Sequence, residues 1–144
     1  MAEHKITLAW TDGGKPFTYD SYPREHAVTF KTGQTMTVSA APAYRGDGMH
    51  ADPEDLLVAS LSSCHMLSFL AICTKKKVTV KSYRDDAVGY LESEGGKLWM
   101  TRVILRPKVD CTADAATLEQ IHHLAHEACF IANSVKTAVS VELG

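Results

Sequence analysis

In the N-terminal part of the chain, apolar side chains recur at every second position. In "ITLAW", Ile6, Leu8 and Trp10 alternate with Thr7 and Ala9; "HAVTF" repeats the pattern with His26, Val28 and Phe30, and "TMTVSA" with Met36, Val38 and Ala40. A period of two predicts strands, with Ile6, Leu8 and Trp10 facing inward and a turn around Thr32-Gly33 joining the second strand to the third. The segment "APAYRGDGMHA" holds Pro42, Gly46 and Gly48 and reads as a loop. From Asp52 the pattern becomes helical: Asp52 is an N-cap residue, Pro53 takes the first helical position, and Glu54 and Asp55 fill the first turn. This helix is expected to reach roughly Thr74, and it is apolar or small on almost every side, which predicts burial. Two long strands, about 78–91 and 98–109, meet at the polar turn "ESEGGK". A second helix starts near Asp114 and extends to about Ile131, and "VKTAVSVEL" returns to a period of two. The order strands, helix, hairpin, helix, strand predicts an α+β fold with a mainly antiparallel sheet and two core helices. With 144 residues and no repeat or linker, the chain reads as one domain, 1–144.

Composition narrows the function classes. The chain is 45% hydrophobic and 22% charged, as in an ordinary soluble protein, and its net charge of −2 offers no footprint for nucleic acid or an anionic membrane. Lys75, Lys76 and Lys77 follow a helix and complement its C-terminal dipole. "MAEHKITLAW" lacks a basic start and an apolar core of signal-peptide length. Ser60, Ser62, Ser63, Cys64 and His65 interrupt the best apolar run, so no membrane span is expected and a cytoplasmic address follows. Four cysteines in a reducing compartment are then free thiols, and their spacings match no zinc-finger pattern.

The candidate chemistry lies on the two helices. Cys64 sits near the middle of the first, among small residues, and Cys129 towards the end of the second, after Ala125 and Ala128. Packed helices with small residues allow the close approach that a disulfide needs, although simple packing explains a lone buried cysteine equally well. A buried thiol stays protonated unless a cation is brought to it. His65, Arg24 and Arg45 are the available cations, and His65 points ~100° away from Cys64 around the helix, which leaves an arginine. His122, His126 and Cys129 fall on roughly one face and form a rival cluster for a metal or for a base and nucleophile; alternatively, the histidines are hydrogen-bonded or solvated boundary residues.

"DPEDLLVASLSSCHM", followed later by a helix ending in "HEACFIANS", resembles the OsmC/Ohr family of thiol peroxidases over nearly the whole chain. The resemblance implies an OsmC-like intertwined homodimer that reduces organic hydroperoxides without a metal or cofactor. It implies peroxidatic Cys64, resolving Cys129, Arg24 to hold the thiolate and orient the peroxide, and Glu54 to hold Arg24. An external dithiol, a lipoyl protein or another thiol, would return the disulfide to thiols. By the same reading Cys73 and Cys111 are bystanders. The chain departs from close members at Phe130, where they carry proline directly after the second cysteine, and it has no serine at position 132. The alternative function is a non-catalytic small-molecule or metal-binding protein of the same fold.

Spacing adds a constraint on assembly. Glu54 and Cys64 lie ~15 Å apart along one straight helix and differ by about 80° in direction, so the glutamate does not reach the thiol within its own helix. Leu56 to Leu70 contains neither glycine nor proline to break that helix. A site that uses both residues is therefore expected to combine two chains.

Overall fold

Pro53 and the acidic residues behind it start a helix where the sequence places one. In the computed structural model, which describes residues 1–144, α1 runs Pro53–Lys75. Asp52 and Asp55 form a reciprocal capping box: the Asp55 N–H donates to Asp52 Oδ1 at 2.8 Å, and the Asp52 N–H donates to Asp55 Oδ2 at 3.1 Å. At the far end Lys77 takes a left-handed conformation with φ 58°. The N–H groups of Val78 and Lys77 reach back to the carbonyls of Cys73 and Thr74 at 2.9 and 3.3 Å. This is a Schellman motif with lysine where glycine is usual.

The residues gather into two units, Met1–Leu56 and Leu57–Gly144. In the first, β1 (Thr7–Ala9), β2 (His26–Thr29) and β3 (Thr35–Val38) pair antiparallel in that order. Thr32 and Gly33, at φ 69° and 84°, make the turn between β2 and β3. The alternation gives the pairing correctly but not the burial. Val28 and Val38 are buried, whereas Leu8 on the edge strand β1 is 58% exposed, and Ile6 and Trp10 are exposed beside it.

In the second unit the expected long hairpin is broken into four strands. These are β4 (Val80–Asp85), β5 (Val88–Glu94), β6 (Lys97–Leu105) and β7 (Pro107–Cys111). β5 and β6 turn through Gly95-Gly96, both at positive φ, as a two-residue hairpin loop requires. The break falls where Pro107 has no N–H to give a ladder. There Asp85 takes over, accepting from the Arg106 N–H at 2.7 Å and from the Ser62 hydroxyl of α1 at 2.5 Å. β4 pairs with β7, and β5-β6-β8 form a separate sheet in which β8 (Ala138–Val141) runs parallel to β6. The terminal strand is thus shorter than its alternating pattern.

α2 spans Ala115–Ala128, capped by the Asp114 carboxylate on the Thr117 N–H. It stops short of the expected Ile131: Asn133 Nδ2 takes the terminal Glu127 carbonyl at 3.1 Å, and just past the helix end Ser134 Oγ donates to Phe130 O at 2.7 Å. Phe69 and Cys73 of α1 pack with Ile121 and Ala125 of α2, and Leu61 packs with Val103 and Leu105 of β6. Elsewhere α1 is only partly covered: Leu57, Val58, Leu70 and Ile72 are half-buried against these clusters, and Leu67 is exposed. Only 22% of its most apolar stretch is buried within the chain, and by length and composition the helix matches a membrane span despite its serines.

Candidate redox site

Cys64 and Cys129 meet. Cys64 lies mid-way along α1 and is half-buried, Cys129 is the C-cap of α2 and is 1% exposed, and both are free thiols. The sequence reading placed Cys129 inside the helix. The helix instead ends at this residue, with extended backbone (φ −71°, ψ 113°). Burial raises the Cys129 pKa, and the neighbouring Cys64 thiol raises it further; the Ala132 N–H, which points at Sγ from 3.4 Å, opposes both. Cys129 is therefore held as the protonated thiol, while Cys64 is the more accessible of the two.

Arg24 belongs to the N-terminal unit and is fixed by aromatic residues. Its guanidinium stacks 3.5 Å from the Tyr22 ring centroid and 4.9 Å from that of Tyr19. It donates to Tyr22 O at 2.6 Å and Tyr19 O at 2.8 Å. These contacts hold the cation at the wall of a cleft of about 550 Å³, whose other walls include Trp10, Phe17 and Tyr22. Trp10 Nε1 closes one side through a 2.7 Å bond to Pro23 O. The Ser39 hydroxyl, buried and without a partner, lies in the same lining. Phe17, Tyr19 and Tyr22 were missed by pattern reasoning, because a loop has no period. Their crowding in "FTYDSYPRE" is the only signal that marks them. Glu54, in the first turn of α1, is half-buried, and Arg24 has backbone carbonyls rather than this carboxylate as its partners within the chain.

His65 is not a cation for Cys64. It is 1% exposed, and its Nε2 meets Nδ1 of His122, itself 2% exposed, at 2.9 Å. The rings are parallel to within 4° with centroids 5.2 Å apart. That separation is the N···N distance plus one ring radius at each end, so the imidazoles meet edge to edge. Burial, then the nearby His126, lowers the His65 pKa to about 4, against a smaller pull from Asp85; burial, then His65, lowers that of His122 to about 4. His122 is thus a core residue rather than a boundary one, and Phe69 stacks on it with centroids 4.3 Å apart. His123 is exposed beside Glu127 at 3.3 Å. No three His, Cys, Asp or Glu side chains converge as a metal would require. Cys73 is buried in the apolar core, and burial, then Cys111, pushes its thiol pKa up.

The sequence profile of the OsmC-like protein family matches residues 46–144. An OsmC-like protein of unknown function from Vibrio cholerae O1 biovar eltor is 42% identical, each chain covering 100% of the other, with a TM-score of 0.93. The organic hydroperoxide resistance protein OhrB of Bacillus subtilis is 16% identical over 99% of this chain and 98% of its own, with a TM-score of 0.72. An organic hydroperoxide resistance protein of Legionella pneumophila is 20% identical over 99% and 96%, with a TM-score of 0.70. These two carry the fold likeness alone. No curated protein shows significant sequence similarity to the chain.

Proposed function

Because the chain belongs to the OsmC-like family, whose membership supports a redox or stress-related role, we propose that it is a thiol peroxidase that reduces organic hydroperoxides. The observation that carries this reading is the adjoining pair of free thiols, one accessible and one held protonated. The Cys64 thiolate attacks the distal oxygen of ROOH and becomes a sulfenic acid, and the departing alkoxide takes a proton to give ROH. The Cys129 thiol then attacks that sulfur; its proton leaves with the hydroxyl as water, and a Cys64–Cys129 disulfide remains. An external dithiol reduces the disulfide by exchange and is itself oxidised. The aromatic walls of the Arg24 cleft favour an organic peroxide over a small polar one.

Arg24 and Glu54 complete the site from a second chain in this reading, in an intertwined homodimer. The incomplete burial of the apolar stretch of α1 and the continuity of the helix between Glu54 and Cys64 support it. The roles are tested with Cys129→Ser. One equivalent of cumene hydroperoxide should add oxygen to Cys64, as read by peptide mass spectrometry, while turnover with a dithiol stops. Oxygen on Cys129 in the reciprocal Cys64→Ser variant, with Cys64 inert in Cys129→Ser, reverses the assignment.

A further inference from the structure

The peroxidase reading leaves the buried histidine pair unused. His65 follows Cys64 on α1, and His122 lies two turns before Cys129 on α2, so the same two helices that carry the thiols are also joined by a 2.9 Å N···N bond. The same helices also meet in the core through apolar packing, Phe69 and Cys73 against Ile121 and Ala125 with Leu70, Ile72 and Leu118 around them. Such packing is non-directional, and the small residues Ala59, Ser60, Ser62 and Ser63 give α1 few projections to lock a register. A disulfide tolerates little error, because its Cα atoms must lie within ~4.4–6.8 Å, whereas one residue of slip along a helix is already ~1.5 Å.

The pair is also a poor choice for packing alone. His65 Nδ1 and His122 Nε2 are buried with no partner, and each such orphan costs about 1–3 kcal/mol. Two apolar side chains would fill the same space without that cost. What the imidazoles add is direction: an in-plane N–H···N bond weakens steeply on a shift that apolar contact absorbs. Stacking of Phe69 on His122 fixes the ring plane from a second side.

We propose that His65 and His122 are positioning residues that hold Cys64 and Cys129 in disulfide register. The inference rests on the reading of those thiols as the redox pair. It predicts a separation of stability from redox equilibrium. The measurement is the reduction potential of the Cys64–Cys129 disulfide in the full-length protein, equilibrated in dithiothreitol buffers, alkylated and quantified by mass spectrometry, with the melting temperature read alongside. In His65→Leu/His122→Leu the chain melts at or above the wild-type temperature, but the disulfide is at least tenfold easier to reduce, or about 30 mV higher in potential. In His65→Gln/His122→Asn the Gln amide reaches the position of imidazole Nε2 and the Asn amide that of Nδ1. This variant restores the potential to within threefold in equilibrium constant. His122→Phe, which keeps the stack on Phe69, replaces the double leucine variant if that fails to fold. An apolar variant at the wild-type potential overturns the inference alone, as does an amide variant shifted equally. A wild-type protein that forms no Cys64–Cys129 disulfide at any potential overturns the thiol-pair reading and this inference with it.

Discussion

Lys77 bears a cost that glycine would not. It sits at φ 58° in the position after α1 that favours a residue without a Cβ. Lys77→Gly should stabilise the protein by about 1 kcal/mol, seen as a higher denaturant midpoint with an unchanged slope; an unchanged or lower midpoint would count against the strain. The histidine pair gives a pH dependence of definite sign. Both imidazoles have folded pKa values of about 4, against about 6.5 unfolded, so the unfolded chain binds the protons first. Stability is full above about pH 6.5 and is lost as pH falls towards 4, by on the order of 3 kcal/mol per imidazole. Unfolding in urea at pH 7 and pH 4.5 reads the loss, and His65→Leu/His122→Leu should flatten it. Helical geometry alone was enough to discount His65 as a partner for Cys64. The neutral pair itself was not legible, because its members are 57 residues apart and "IHHLAHE" does not say which histidine turns inward.

Among the elements, caps were readable and breaks were not. Asp52-Pro53 and Asp114 mark both helix starts because capping is a local contest for a few bare N–H groups. The divided hairpin and the early end of α2 depend on long-range or context-dependent partners: Asp85 reaching Ser62 and Arg106, and Asn133 reaching back to Glu127. The alternation of β1 gave a correct strand and a wrong burial, since periodicity identifies a face but not what covers it. Gly89 of β5 marks a close approach. A Cβ there would come within 2.5 Å of Val58 Cγ2 on α1 and 2.6 Å of Met100 Cε on β6. Gly89→Ala should destabilise by about 1–3 kcal/mol through overpacking. A loss under 0.5 kcal/mol in urea unfolding would mean that those side chains yield freely.

At the scale of the whole molecule, the account turns on assembly and on the thiols. Within the chain Arg24 bonds to backbone carbonyls rather than to Glu54, and the apolar stretch of α1 is only 22% buried; the proposed site therefore draws on a second copy. Refolding inactive Cys64→Ser with inactive Arg24→Ala should restore about one working site per heterodimer; a dead mixture of folded dimers rules out a shared site. The family and the approach of Cys64 to Cys129 were legible because the motifs are contiguous and lie on or at the end of helices that the caps define. The aromatic setting of Arg24 was not, because it is built from loop residues. Counting free thiols before and after one equivalent of cumene hydroperoxide reaches the central claim most directly. The account predicts loss of two thiols per chain, mapped to Cys64 and Cys129 and abolished by Cys64→Ser, with Cys73 and Cys111 untouched. Retention of all four thiols, or a loss mapped to Cys73 and Cys111, contradicts it.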